Sequence, residues 1–183
     1  MRIRARTRIR THLRAGVSLT ELLMTLGIVS LLAAIALPGF GSMLDRVRVI
    51  TVVAQFQEAI SLARAEALRR RTRIDLIPLR EANWASGWQV LIDADNNHKA
   101  GAGDTILHQG PPPPPGLRID ARLRDPKAYL AFDSSGRPRS AASSNVPQIG
   151  SLLFVAGNEQ RKIIISFLGR VRSCDPVRDK VAC

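Results

Sequence analysis

Aromatic residues are scarce in this chain of 183 residues, since phenylalanine, tryptophan and tyrosine together make up 4% of it. A core must therefore be built mainly from leucine, isoleucine, valine and alanine. The chain has three histidines and two cysteines. It has no glycine-rich phosphate loop before a helix, and no nucleophile paired with a base. The sequence thus predicts a protein that is not an enzyme and that needs no cofactor and no metal.

Acidic residues are also few. There are 27 lysines and arginines against 15 aspartates and glutamates, which gives a formal charge of +12. Six of the arginines lie in residues 1–16, a segment without any acid. By the positive-inside rule, such a segment stays on the cytoplasmic side of a membrane.

A long apolar segment follows this basic leader. Val17–Leu37 is 21 residues long, close to the ~20 residues that a helix needs to cross a bilayer. It contains one carboxylate, Glu21, although a charge inside hydrocarbon costs several kcal/mol. The sequence predicts a single-pass membrane protein in which Glu21 faces a partner or a counter-charge. A plain anchor with an incidental glutamate is the alternative.

The basic leader, Gly16, Glu21 and the apolar helix together resemble the signature of type IV prepilins. The resemblance implies that the chain is anchored in the inner membrane with its head in the periplasm, and that a prepilin peptidase cuts between Gly16 and Val17 and methylates the new amine. It also implies that Glu21 binds the N-terminus of a neighbouring pilin or pseudopilin in a filament. This family usually has phenylalanine where the chain has Val17.

Helical periodicity continues beyond the apolar segment. Apolar residues recur every three or four positions, which indicates an amphipathic helix; they are Val49, Val52, Phe56, Ile60, Ala63 and Ala67. We predict one helix from Ser18 to Arg70, kinked or loosened at Pro38. The predicted segments are the leader 1–16, a transmembrane part 17–40, an amphipathic part 41–72 and a β-rich head 73–183.

The head shows short β-type runs separated by Gly, Pro, Asn and Ser, which are turn signals. The candidate strands are Arg73–Ile77, Trp88–Ile92, Thr105–His108, Leu117–Ile119, Tyr129–Phe132, Leu152–Val155 and Lys162–Phe167. The predicted fold class is therefore α+β, with a long N-terminal helix packed on an antiparallel β-sheet head.

Two head segments resemble the GspH/FimT family of minor pilins and pseudopilins. They are the hairpin from Trp84 to Asp104 and the turn Phe132–Pro138, where Gly136 permits a positive φ. The first contains aspartates and an asparagine at positions 1, 3, 5 and 12 of a calcium loop, but His98 stands where that loop has glycine. A solvated turn is the favoured interpretation of this segment.

The C-terminal region is basic and contains both cysteines. Gly169-Arg170-Val171-Arg172 resembles the Gly-Arg-x-Arg pattern of FimT-type minor pilins, which implies binding of double-stranded DNA in natural transformation. Alternation along a strand places Arg170 and Arg172 on one side. The other candidate DNA-binding residues are Arg161, Lys162, Arg178 and Lys180.

In an exported chain the two cysteines, Cys174 and Cys183, suggest a disulfide, with free thiols as the alternative. Two functions stay open: a DNA-binding minor pilin of a type IV pilus, and a structural H-type pseudopilin of a type II secretion system.

Overall fold

The structure is a computed structural model that describes residues 16–125, 129–140, 145–181 and 183, with the side chains of residues 35–39 outside the description. The chain divides into two units, Met1–Phe40 and Gly41–Cys183. Of the predicted leader, residues 1–15 lie outside the described residues.

One helix, α1, runs from Leu19 to Arg70. It begins one residue after the predicted start and ends at the predicted residue, and it continues through Pro38 and Gly39. Glu21 lies in its first turn and Arg69 and Arg70 in its last, where the helix dipole favours charges of these signs.

Sequence analysis predicted that residues 17–37 cross a membrane. In the part of the chain that the structure describes, no helix combines the length and the apolar character that a membrane crossing requires. Residues 35–37 of the predicted segment are among those whose side chains are not described.

The second half of α1 buries the predicted apolar stripe. Val49, Phe56 and Ala67 are all buried, and so are the other members of that stripe. Val53 and Ala59 widen it, so the buried face spans more than one narrow row, as is usual for a helix on a globular core.

Nine strands follow α1. They are β1 (Ile74–Arg80), β2 (Asn83–Ile92), β3 (Thr105–Gln109), β4 (Arg118–Leu123), β5 (Leu130–Phe132), β6 (Pro138–Arg139), β7 (Gly150–Ala156), β8 (Glu159–Ile165) and β9 (Val171–Cys174). They form a first sheet in the order β3-β2-β1-β5-β6 and a second sheet in the order β4-β7-β8-β9. Every recorded strand pair is antiparallel, which confirms the α+β class.

Phe56 of α1 joins both sheets. Its ring lies 5.2 Å and 5.0 Å from the rings of Trp84 and Trp88 on β2, and 5.5 Å from the ring of Phe154 on β7. All three contacts are edge-to-face, the geometry that aromatic quadrupoles favour. The helix therefore packs against both sheets. A second, smaller buried cluster belongs to the first sheet and consists of Ile77, Leu91, Tyr129 and Ala131.

Candidate functional site

The residues predicted to act in processing and assembly lie at the start of the described chain. Gly16 and Val17 precede α1, and all of Gly16, Val17 and Glu21 are exposed. Leu22 donates its backbone N–H to the Ser18 carbonyl at 3.1 Å, which closes the first turn of the helix. Glu21 is therefore presented on an exposed first helical turn.

The Gly-Arg-x-Arg segment begins in the turn between β8 and β9. Gly169 has φ +77°, and a Cβ placed on it would lie 2.8 Å from Cδ of Pro138, so this position requires glycine. A guanidinium nitrogen of Arg64 on α1 donates to the Gly169 carbonyl at 3.1 Å. The turn is thus held by the helix on one side and by the β5–β6 hairpin on the other.

Arg170 and Arg172 are exposed, as the sequence predicted. Arg172 lies opposite Ile164 of β8, and the ladder extends one step further through the bond from Ser166 N–H to the Arg170 carbonyl at 3.0 Å. Since side chains alternate along a strand, the two arginines lie on the same outward face of the second sheet.

The other predicted basic residues do not all lie on the face that carries this pair. Lys162 shares the outward face with Ile164, whereas Arg161 alternates with Lys162 towards the face that carries the buried Ile163. Sequence analysis grouped the two neighbours because their charges are adjacent in the chain, but a strand separates them onto opposite sides.

Asp175 binds part of this basic set. Arg161 lies 3.8 Å and Arg178 3.5 Å from its carboxylate. Burial raises the pKa of Asp175, but backbone N–H bonds from Arg178 and Val177 and the nearby guanidinium charges outweigh it and lower that pKa overall. Arg161 and Arg178 are therefore partly neutralised, while Lys180 is exposed.

The disulfide between Cys174 and Cys183 is present, with Cα atoms 5.7 Å apart. It joins the end of β9 to residue 183. The Lys162 ammonium donates to the Cys183 carbonyl at 3.1 Å, so the segment is fixed to β8 as well as to β9. This arrangement confirms the predicted pairing.

A shallow depression of about 440 Å³ lies on the outward face of the second sheet. Ile149, Ser151 and Ile164 contribute uncharged lining, and Lys162 and Arg172 contribute the charges. No aspartate or glutamate side chain is among the described lining residues. This surface favours an anionic ligand over a cationic one.

Sequence analysis did not predict a buried polar cluster around Asp75 and His98. The Asp75 carboxylate, 1% exposed, lies 3.4 Å from Nδ1 of His98 and 3.2 Å from Nε of Arg73, and Asp93 lies 3.4 Å from the same His98 nitrogen. Burial raises the pKa of Asp75 to about 6, although the charge of Arg73 and the His98 hydrogen bond oppose the shift. The detectable signal was a lone aspartate inside the apolar run Ile74–Ile77.

The predicted calcium-like loop does bring three carboxylates together. Oxygens of Asp93, Asp95 and Asp104 lie within 4.8 Å of one another, as do the candidate ligand atoms of Asp75, Asp93 and His98. The loop oxygens also accept backbone N–H groups: Asp93 Oδ2 accepts from His98 N–H at 2.7 Å, and Asp104 Oδ2 accepts from Gly101 N–H at 2.7 Å. These bonds hold the turn of the loop. The preference for a solvated turn over a calcium site stays a prediction.

Comparisons with known proteins agree with this architecture. A family model described as type II transport protein GspH matches residues 52–169. The chain is 29% identical over 166 residues to the pilin-like protein PilA1 of Thermus thermophilus, which covers 87% of this chain and 97% of PilA1.

Two solved structures share the fold. The type IV minor pilin FimU of Pseudomonas aeruginosa matches with a TM-score of 0.54 and 17% identity, covering 73% of this chain and 93% of FimU. The minor pseudopilin EpsH of the Vibrio cholerae type 2 secretion system matches with a TM-score of 0.51 and 16% identity, covering 70% of this chain and 98% of EpsH. Since the family match spans more than half of the chain, the chain belongs to the GspH family of type II transport proteins and is a minor pilin or pseudopilin of that type.

Proposed function

We propose that the chain is a minor pilin of a type IV pilus that binds double-stranded DNA without sequence preference, as uptake of external DNA requires. The observation that supports this most directly is the exposed pair Arg170 and Arg172, which lacks a carboxylate within 4.0 Å among the described residues. Unpaired, outward guanidinium groups bind phosphates without reading bases.

The proposed path to the filament begins at the inner membrane. A prepilin peptidase cuts between Gly16 and Val17, the apolar start of α1 anchors the chain, and the head faces the periplasm. Glu21 then pairs with the terminal amine of a neighbouring subunit. Exposure of Gly16, Val17 and Glu21 supports access by both partners.

Assembly is tested with Glu21→Ala. Removing the carboxylate favours membrane insertion by about 3 kcal/mol on insertion scales, so the variant is expected in the membrane but depleted from sheared filaments. Gly16→Ala is the matched processing variant and should keep residues 1–16, as measured by the mass of the membrane-extracted protein. Normal amounts of Glu21→Ala in filaments would contradict the role of Glu21.

DNA binding is tested with the chain from Val17 to Cys183 in a neutral detergent. Residues 1–16 are omitted because their six arginines would bind DNA themselves. Among the residues that the structure describes, the buried apolar ones all lie between Val49 and Cys174, so this cut removes none of them. Binding should be micromolar or weaker at physiological salt and should fall steeply as salt rises. Absence of binding at low salt would refute the proposal.

A second function has its own support. The family is described as a type II transport protein, and EpsH is a minor pseudopilin of a secretion system. In this alternative the chain helps to begin a short filament whose cargo is protein, and the basic face has no ligand. Loss of protein secretion with normal DNA uptake in a deletion strain would favour it.

A further inference from the structure

The second sheet carries arginines at both of its edges. β4 and β9 are the edge strands, with β7 and β8 between them. The β9 row consists of Arg172 on β9 and of Arg170, the residue directly before that strand. The β4 row consists of Arg122 on β4 and Arg124 directly after that strand, both exposed. Arg118 lies further along the same face, beyond Asp120. Within β4 these outward residues alternate with the inward Ile119, Ala121 and Leu123.

The strand register aligns the two rows. Arg122 lies opposite Ser151, Ser151 opposite Ile164, and Ile164 opposite Arg172. These four residues therefore form one line across the outward face, with an arginine at each end. Arg124 lies two residues after Arg122 and Arg170 two residues before Arg172, and the register places both at the same end of the sheet. There the Arg124 N–H donates to the Ile149 carbonyl at 2.8 Å, which extends the pairing of β4 with β7 by one residue.

The distance between the rows suits a duplex. Three strand spacings of 4.7–4.9 Å place the backbones of β4 and β9 about 14 Å apart. The major groove of DNA is about 12 Å wide and is bordered by phosphates on both sides. Long arginine side chains at the two edges can therefore each reach one of the two backbones that border a groove.

The charges of the two rows and the surface between the rows suit the same ligand, duplex DNA. No carboxylate lies within 4.0 Å of the guanidinium groups in either row, among the residues that the structure describes. Among the described residues that line the depression between the rows, Lys162 is the one charged side chain besides Arg172, and it donates to the Cys183 main-chain oxygen at 3.1 Å. Asp120, exposed between Arg118 and Arg122, is the acid that weakens the β4 row.

From this placement we infer that Arg122 on β4 and Arg124 directly after it form a second phosphate-binding row, so that duplex DNA lies across the outward face of the second sheet. The inference rests on the proposed DNA-binding function and extends it to residues some 50 positions before the Gly-Arg-x-Arg segment. A single strand fits this surface less well, because such ligands are held largely by aromatic stacking. Phe167 is the one aromatic side chain among the described residues that line the depression.

The test compares two double variants with a matched control. Arg122→Gln/Arg124→Gln removes the β4 row, and Arg170→Gln/Arg172→Gln removes the β9 row. Arg71→Gln/Arg80→Gln removes the same charge from exposed positions outside the second sheet. Affinity of residues 17–183 for a 20-base-pair duplex is measured by fluorescence anisotropy across a salt series, with circular dichroism confirming the fold of each variant.

Each phosphate contact contributes about 0.9 to the slope of log K against log salt. Both row variants should therefore weaken binding several-fold and reduce the slope by about 1–2, whereas the control should retain the wild-type slope. Asp120→Asn should tighten binding, because it removes the acid from the β4 row.

The outcomes separate the two claims. If the wild type fails to bind, both the proposed function and the inference fall. If the wild type binds and only the β9 variant is weakened beyond the control, DNA binding stands and the β4 row is refuted. Equal affinity for a single strand of the same length would also refute a duplex that spans two rows.

Discussion

Replacement of Asp75 by asparagine should change how stability depends on pH. Its pKa of about 6 in the folded state lies above the ordinary 3.8, so between these values the folded chain binds more protons than the unfolded chain. The free energy of unfolding therefore falls as pH rises through this range. A shift of about two units corresponds to about 3 kcal/mol by pH 7.

Urea unfolding followed by circular dichroism, from about pH 3.5 to pH 7, measures this contribution. The free energy of unfolding of Asp75→Asn minus that of the wild type should increase by about 3 kcal/mol across the range. Taking the difference cancels the contributions of groups that stabilise the fold as pH rises. Asp133 is such a group: burial raises its pKa, but hydrogen bonds from Ser135, Arg137 and Arg139 outweigh this and lower its pKa to about 2.

A control separates the carboxylate from its histidine neighbour. The same comparison in a His98→Gln background removes the 3.4 Å contact with His98 but leaves the burial of Asp75. The pH-dependent difference should persist, because burial is the largest cause of the raised pKa. A difference that stays constant with pH in both backgrounds would refute the assignment of a buried, proton-binding carboxylate.

Three further substitutions test the packing, the β8–β9 turn and the disulfide. Phe56→Ala should lower the free energy of unfolding by about 3–5 kcal/mol, and a loss under about 1 kcal/mol would contradict its central position. Gly169→Ala should destabilise more than Gly116→Ala in urea melts, because both have positive φ but only the first would collide with a proline ring. Cys174→Ser/Cys183→Ser should cost about 2–3 kcal/mol in the chain-entropy model, while equal wild-type melts with and without reductant would count against that contribution.

Strong periodicity made the helix predictable. The stripe from Val49 to Ala67 repeats over five turns, and a pattern of that length specifies a buried helical face with little ambiguity. The two-residue strand Pro138–Arg139 was not predicted, because two residues carry no periodicity. Its pairing with β5 depends on the turn at Gly136.

The basic surface was predicted only in part, because strand limits decide which charges share a face. The predicted strand ended at Ile119, whereas the observed strand β4 and its inward–outward alternation continue to Leu123. The outward position of Arg122 was therefore not predicted. The Asp75 cluster depends on the contact between Asp75 on β1 and His98 in the loop after β2, two residues that are 23 positions apart in the sequence. No local pattern encodes that distance, although the aspartate in an apolar run was visible.

The chain contains two tryptophans, and both lie against Phe56 with no exposed surface. Their intrinsic fluorescence therefore reports a single place, the junction of α1 with the first sheet. Undocking of the helix would admit water to both indoles at once and shift the emission to longer wavelength. A ligand on the outward face of the second sheet would leave that emission unchanged. Tryptophan fluorescence of the unmodified chain can therefore distinguish ligand binding from unfolding.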